Sequence, residues 1–170
     1  GMHSSQNEQD SRHYAKASKI MMLEPSDSSE CKEFTKLAFS LSEKYDTPVF
    51  IRLSTRVSHS QSLVEICEPS KVELKPYVKN IQKNVMMPAN AVKRHVVVED
   101  RISALRELGE DCSFNKVEMN DTKIGVITSG IAYMYAKEAL GDKASYLKLG
   151  MVYPLPEKLI LDFAKKVDKL

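Results

Sequence analysis

The sequence has little that would tie the protein to a membrane, a secretory route or a disulfide framework. No apolar run approaches the roughly 20 residues that a membrane span needs, and the polar stretch 1–10 lacks the apolar core of a signal peptide. Tryptophan is absent, and the three cysteines are widely spaced: Cys31, Cys67 and Cys112. They are too few and too scattered for a disulfide framework, a zinc site or an iron–sulfur cluster. We therefore expect a protein of the reducing cytoplasm, with no membrane partner.

An excess of charge of one sign is also missing. Lys and Arg number 25 against 23 Asp and Glu, which leaves a formal net charge of +2 and excludes a dedicated polybasic nucleic-acid binder. Hydrophobic residues at 42% and charged residues at 28% are typical of a globular chain. With 170 residues, the chain could form one large domain or two small ones, at roughly 100–200 residues per domain.

The first third of the chain has the pattern of a strand–helix–strand unit. Residues 26–45 carry an apolar stripe at helical spacing, and Asp27 with Glu30 could form a capping box. Residues 20–23 and 49–53 are short apolar runs typical of buried strands. This order predicts a βαβ unit and a parallel sheet.

The middle of the chain is less regular. Residues 65–88 contain three prolines and show no sustained period, which predicts an irregular connection. Residues 91–108 regain helical spacing, as one long helix or two short ones. Residues 109–123 are predicted to be a polar loop that Phe114 and Val117 anchor to a core.

A second alternation follows from residue 123. We predict strands over 124–128 and 146–149, a helix over 131–140, and a final helix after Pro154 and Pro156. The fold class is therefore α/β, with two partial lobes. Each lobe is expected to hold one apolar cluster: Phe34, Leu37, Leu41, Val49 and Ile51 in the first, and Ile124, Val126, Ile127, Ile160 and Phe163 in the second. A truncated sheet leaves an open strand edge, from which we expect a homo-oligomer.

Candidate functional residues cluster in two places. Arg56, Ser58 and His59 directly follow the strand 49–53, and ligands of open parallel sheets bind beyond the carboxyl ends of strands. Arg56 has the paired donors that suit a carboxylate or phosphate; the alternative is a solvated loop with a locally paired arginine.

The second cluster lies near the N-terminus and includes Gln6, Asp10 and Arg12, where spacing alone indicates a frayed end without a metal signature. The turn 128–130 could bind an anion, but it lacks the spaced glycines of a dinucleotide site and is better interpreted as structural. The polar start GMHSSQNEQD is typical of a loop interior: either Gly1 is a tag remnant before Met2, or the chain starts within a larger protein.

Several segments, taken together and in order, resemble a known family. These are SSQNEQDSRHYA, LEPSDSSECKEFTKLAFSLSEKYDTPVFIRLSTRVSHS, VMMPANAVKRH, IGVITSGIAYMYAKEAL and LKLGMVYPLPEKLI. They resemble the alpha subunits of indolepyruvate ferredoxin oxidoreductases, within the thiamine-diphosphate-dependent 2-oxoacid:ferredoxin oxidoreductases. The resemblance is collinear over the whole chain, and it implies an internal segment of a much longer subunit.

The resemblance implies a division into three parts. Residues 1–61 would end a pyrimidine-binding domain, 62–120 would form a connecting segment with a helix, and 121–170 would begin a transketolase C-terminal-like domain. The glutamate that activates the cofactor and the Gly-Asp-Gly segment that holds its Mg²⁺-diphosphate would lie outside this chain. We therefore expect no cofactor in this segment, which would be inactive alone.

The parent reaction implied is oxidative decarboxylation of an aryl 2-oxoacid to the acyl-CoA. The parent enzyme would use thiamine diphosphate, Mg²⁺ and iron–sulfur clusters in an anaerobic cytoplasm, with a beta subunit and ferredoxin as partners. In this family the loops that match 4–12 and 56–59 face the cofactor. Cleft candidates are therefore Arg56, Ser58 and His59, together with Ser5, Gln6, Asp10 and Arg12.

Two other hypotheses stay open at this point. The chain could be a stand-alone relative used as a binding or interaction module, or a small independent α/β enzyme.

Overall fold

The computed structural model describes residues 9–69 and 73–170. In this part of the chain, helices and short strands alternate in a mixed α/β fold, as the sequence predicted. The helices are α1 (Arg12–Ser18), α2 (Ser28–Tyr45), α3 (Thr55–His59), α4 (Ile81–Asn84), α5 (Pro88–Glu110), α6 (Gly130–Leu140) and α7 (Glu157–Ala164). The strands are β1 (Met22–Leu23), β2 (Phe50–Ile51), β3 (Lys116–Glu118), β4 (Gly125–Ser129), β5 (Ser145–Leu149) and β6 (Met151–Tyr153).

Helix α2 forms where it was predicted because its start and its buried face are both encoded locally. The backbone amide of Glu30 donates to Asp27 Oδ1 at 2.8 Å, which is an N-cap. The Glu30 carboxylate does not complete a capping box at Asp27; it accepts instead from the amide of Ser26 at 3.0 Å. The helix buries apolar side chains at helical spacing, Phe34, Ala38 and Leu41.

The first sheet has the strand order β2-β1-β6. Strands β1 and β2 flank α2 and pair in parallel, with Met22 opposite Phe50, as the predicted βαβ unit requires. Strand β6 pairs with the other side of β1 in the antiparallel direction. The sheet is therefore mixed, and the prediction of a wholly parallel sheet is corrected by a strand that arrives from the far end of the chain.

The second sheet has the order β3-β5-β4. Strand β4 is parallel to the central strand β5, and β3 is antiparallel to it. Strand β3 lies within 109–123, where the sequence predicted only a loop. Of the two predicted anchors there, Phe114 is buried, whereas Val117 on the edge strand β3 is exposed.

Strands β5 and β6 form one run that crosses from the second sheet to the first, with Gly150 between them. The carbonyl oxygen of Gly150 accepts from the amide of Glu24 at 2.8 Å, and its amide donates to Asn115 Oδ1 at 2.9 Å. A Cβ at this position would lie 2.2 Å from the carbonyl oxygen of Phe114. Only glycine fits this crossing, which joins the two sheets.

The first apolar cluster contains the five residues predicted for it and more. It also includes Ile102 and Leu105 of α5, together with Phe114 and Met151. Helix α5 is a single helix, which settles the alternative left open by the sequence, and its buried residues lie in its C-terminal half. The first core therefore draws on residues from all three predicted parts of the chain. The boundaries at 61 and 120 stay predictions.

The second apolar cluster confirms the prediction in part. Phe163 is buried in it, and Ile127 and Ile160 pack against it, whereas Ile124 and Val126 are not members. Side chains alternate along a strand, so residues 124 and 126 face away from the side on which Ile127 lies. The irregular connection predicted over 65–88 is confirmed in part: the described residues 65–69 and 73–80 contain no helix or strand, whereas α4 lies within the predicted connection and α5 begins at its last residue.

Candidate functional site

Three polar side chains meet where parallel strands end. Glu24 follows β1, Arg52 follows β2, and Ser129 ends β4. Arg52 Nη1 donates to Glu24 Oε1, and Ser129 Oγ donates to Glu24 Oε2 at 3.1 Å. The Glu24 side chain is only 7% exposed, so these two donors compensate a carboxylate that has lost most of its water. The contacts connect the carboxyl edge of the first sheet to that of the second.

Gly130 allows this junction to close. It begins α6 with φ of +51°, in the left-handed region that favours glycine. A Cβ at Gly130 would lie 2.7 Å from Glu24 Oε1. The turn 128–130, which the sequence indicated to be structural, therefore packs directly on the buried carboxylate.

Replacing Gly130 with alanine is expected to lower the free energy of unfolding by about 1–2 kcal/mol, the cost of a left-handed backbone at an L-residue. Urea unfolding of the chain measures the change. Gly109→Ala is the matched control: its added Cβ would find its nearest neighbours at 3.6 Å, an ordinary contact, within helix α5. This control is expected to be neutral or slightly stabilising. Equal losses in the two variants would contradict the role of Gly130.

The candidates Arg56, Ser58 and His59 lie on the short helix α3 and are exposed. Ser54 Oγ accepts from the amide of Val57 at 3.3 Å and caps this helix, and the buried Val57 holds its inner side. The helix replaces the loop that the sequence indicated. Val57 therefore anchors α3, and the side chains on either side of it project outward.

Arg56 contacts the second lobe. Its Nε donates to the phenol oxygen of Tyr135, on α6, at 3.1 Å. Within residues 9–69 and 73–170, the guanidinium forms no ion pair with a carboxylate. Its two terminal nitrogens, with four N–H donors, are thus not engaged by any described acid.

Asp10 and Arg12 form a pair with each other. Arg12 Nε donates to both Asp10 oxygens, at 2.8 and 3.0 Å, and Nη2 donates to Oδ2 at 2.7 Å. These hydrogen bonds hold the pKa of Asp10 well below its usual range and raise the pKa of Arg12. Unlike Arg56, Arg12 already has one edge of its guanidinium, Nε and Nη2, paired with a carboxylate.

Asp10 and Arg12 lie on the wall of a cavity of about 380 Å³. The lining also includes Thr128 and Ser129 at the carboxyl end of β4, and Tyr153. Arg56, Ser58 and His59 are not among its lining residues. The structure therefore brings the described candidates together in two groups rather than one. Ser5 and Gln6 lie outside the described residues.

Sequence reasoning missed Glu24 and Tyr135 as members of the site. The available signal for Glu24 was its position: an acidic residue at the exit of an apolar strand, at the same sheet edge as Arg52. Tyr135 carried no local signal, because its partner Arg56 is 79 positions away in sequence.

A second polar group is buried between α2 and β5. Lys148 Nζ donates to the Glu30 carboxylate and to Ser26 Oγ at 2.8 Å, and it lies 4.6 Å from the centre of the Tyr133 ring. Burial alone would raise the pKa of Glu30, but the hydrogen bonds from Lys148 and Ser26 outweigh it and lower the pKa. The group connects α2 to β5 and α6.

A further ion pair holds α6 against β3. The Tyr133 hydroxyl donates to Glu118, and Lys137 Nζ donates to Glu118 Oε2 at 2.6 Å. Burial and the neighbouring Glu118 raise the pKa of Tyr133, so its hydroxyl stays protonated and donates.

The described residues include no group of three or more His, Cys, Asp or Glu placed to hold a metal ion. Among the free cysteines, burial raises the pKa of Cys112 to about 11, which keeps it a thiol at neutral pH rather than a ligating thiolate. This part of the chain therefore does not supply a complete ligand set for a metal or cluster. None of its helices is long and apolar enough to cross a membrane.

Comparison with known proteins identifies the relatives of the chain, although no family model matches it. Indolepyruvate oxidoreductase subunit IorA of Archaeoglobus fulgidus is 37% identical to it over 99% of the chain. The subunits named IorA of Thermococcus kodakarensis and Methanothermobacter thermautotrophicus are 39% and 41% identical, each over 99% of the chain. The chain spans 28% of the length of each of these relatives.

These relatives are subunits of oxidoreductases by name, and the agreement runs along 99% of the chain. Within that class, the chain corresponds to an internal segment of the indolepyruvate oxidoreductase subunits named IorA. The resemblance found in the sequence motifs is confirmed.

Proposed function

We propose that the chain is part of an enzyme that oxidatively decarboxylates an aryl 2-oxoacid, of the indolepyruvate type, to the acyl-CoA, with ferredoxin as electron acceptor. The names of its relatives support the substrate class. In this proposal, residues 1–61 end a pyrimidine-binding domain and 121–170 begin a transketolase C-terminal-like domain. The antiparallel pairing of β6 with β1 then packs one domain against the other.

The observation that carries the proposal is that the Arg56 guanidinium has no carboxylate partner among the described residues. A 2-oxoacid brings a carboxylate into the site, and a planar guanidinium with two free terminal nitrogens binds a carboxylate through paired hydrogen bonds. Arg56 is held at Nε by Tyr135 and has no acidic partner among the described residues. Its role is to bind and orient the substrate carboxylate; His59, three residues later on α3, lies one turn away.

The parent enzyme supplies the rest of the chemistry. Thiamine diphosphate with Mg²⁺, when bound, supplies the decarboxylation, and iron–sulfur clusters carry the electrons to ferredoxin. In this proposal, the residues that bind these cofactors lie in parts of the enzyme outside this segment. Those parts include the beta subunit. Asp10 and Arg12, as a mutually bonded pair that lines the cavity, would shape the cleft rather than bind the carboxylate. We also propose a homo-oligomer in the cytoplasm.

Titration calorimetry of the 170-residue chain with thiamine diphosphate and Mg²⁺ is expected to show no saturable binding. The resemblance implies that the activating glutamate and the diphosphate anchor lie outside the segment. The complete alpha subunit, titrated in parallel, is the control and is expected to bind. Saturable micromolar binding by the chain alone would contradict the proposal and favour a self-contained module.

A further inference from the structure

Arg56 and Tyr135 connect the two lobes through one side-chain hydrogen bond. Arg56 lies on α3, after the first sheet, and Tyr135 lies on α6, after the strand β4 of the second. Nε of Arg56 donates to the phenol oxygen at 3.1 Å. The bond uses the single Nε–H donor, and within residues 9–69 and 73–170 no carboxylate pairs with the two terminal nitrogens.

The phenol of Tyr135 is carried on a helix that is fixed at several points. At its N-terminus, Ser129 donates to the buried Glu24 at 3.1 Å. Along its length, Lys137 donates to Glu118 at 2.6 Å. At its C-terminal end, the hydroxyl of the fully buried Tyr146 donates to the carbonyl oxygen of Gly141 at 2.7 Å. The backbone that carries Tyr135 is therefore held in place, while Tyr135 itself is 55% exposed.

We propose that Tyr135 is a positioning residue that sets the direction of the Arg56 guanidinium and so its affinity for the substrate carboxylate. An exposed arginine otherwise samples many rotamers, and ordering it costs free energy when a ligand binds. A hydrogen bond at Nε removes part of that freedom before the ligand binds, and it fixes the direction of the two terminal nitrogens. This inference rests on the proposed role of Arg56 in binding the 2-oxoacid.

The test is Tyr135→Phe in the assembled oxidoreductase, with indolepyruvate as substrate. Removing one hydroxyl deletes the bond and keeps the ring. KM is expected to rise about three- to tenfold, the range for one neutral hydrogen bond, with kcat changed less than about twofold. Tyr77→Phe is the control, because Tyr77 is also exposed, lies in the irregular connection and is not a lining residue of the cavity. It is expected to leave KM and kcat unchanged.

A double-mutant cycle with Arg56→Ala separates positioning from a merely structural effect. If Tyr135 acts through Arg56, then Tyr135→Phe changes nothing further once Arg56 is gone. A loss of the same size in both backgrounds would overturn the inference, as would an unchanged KM in Tyr135→Phe when Arg56→Ala raises KM. If Arg56→Ala itself retains full activity, the proposed role of Arg56 in binding the carboxylate is contradicted, whatever Tyr135→Phe shows.

A second measurement uses the 170-residue chain itself. The Arg56 Nε–H group gives its own signal in ¹⁵N nuclear magnetic resonance, and its heteronuclear relaxation reports how rigid the side chain is. Tyr135→Phe is expected to make this signal as mobile as those of other exposed arginines, and Tyr77→Phe is expected to leave it unchanged. An equally rigid Arg56 in Tyr135→Phe would contradict the proposal whatever the kinetics show.

Discussion

Replacing Lys148 with methionine is expected to lower the free energy of unfolding by about 3–5 kcal/mol, the cost of removing one partner from a buried ion pair. Lys148 is 3% exposed and donates to the carboxylate of Glu30, itself 6% exposed. Methionine keeps much of the side-chain length and leaves Glu30 without its closest cation. Urea unfolding of the chain at neutral pH measures the loss.

Two variants make this result specific. Lys165→Met is the matched control, because its ion pair with Asp162 is on the surface, and it is expected to change stability by less than about 0.5 kcal/mol. Adding Glu30→Gln to Lys148→Met is expected to recover part of the loss, since no uncompensated charge then remains. A double variant no more stable than Lys148→Met would show that packing, rather than charge, causes the effect.

The pH dependence of the free energy of unfolding follows from the lowered pKa of Glu30. Its folded-state pKa lies below the ordinary value of 4.5, so the unfolded chain takes up the proton first as the pH falls. The stabilisation by this group is therefore present above about pH 4.5 and is lost as the pH falls through the lowered pKa. The difference in stability between the native chain and Lys148→Met is expected to shrink over the same range.

The parts of the fold that the sequence predicted are those with local causes. Helix α2 has its cap at Asp27 and its apolar stripe within one segment, and α6 has Gly130 and Gly141 at its ends. Strands β4 and β5 were also predicted from short apolar runs. In each case the residues that determine the element lie within it or directly beside it.

The parts that the sequence did not predict depend on distant partners. Strand β6 exists because Met151–Tyr153 pairs with β1, more than a hundred residues earlier. The lysine in the apolar strand β5 is compatible with burial only because Glu30 lies opposite it in the fold, 118 positions away in sequence. Neither contact leaves a periodic pattern. Local spacing therefore identified the elements but not the way in which the two sheets join.

The candidate site divides in the same way. Arg56 could be selected from the sequence because it directly follows a strand, where parallel sheets bind ligands. Its partner Tyr135 and the buried junction at Glu24 could not, since each is completed by a residue of the other lobe. The structure adds that the Nε and Nη2 edge of Arg12 is paired with Asp10, whereas the guanidinium of Arg56 has no acidic partner among the described residues.

Replacing Arg56 with alanine in the assembled oxidoreductase is expected to lower kcat/KM by about 1–3 kcal/mol equivalent, or roughly 5- to 150-fold, as for a lost charge-assisted hydrogen bond. If Arg56 binds the carboxylate equally in the ground state and the transition state, the loss is expected in KM. The kcat/KM of Arg56→Lys is expected to lie between those of the native enzyme and Arg56→Ala, because an ammonium keeps the charge but not the paired hydrogen-bond geometry.

A second exposed arginine, Arg106, provides the control for this prediction. Arg106 lies on α5 and faces Glu157 at 3.8 Å, in neither candidate group. Arg106→Ala is expected to leave kcat/KM unchanged, which separates the loss of one surface cation from the loss of this one. An arylacetic acid, which lacks the keto carbon but retains the carboxylate, can be used as a competitive inhibitor. Its affinity for the enzyme is expected to fall in Arg56→Ala by a similar factor. If Arg56→Ala keeps full activity and inhibitor affinity, then the guanidinium does not bind the carboxylate, and its bond to Tyr135 serves only to hold α3 against α6.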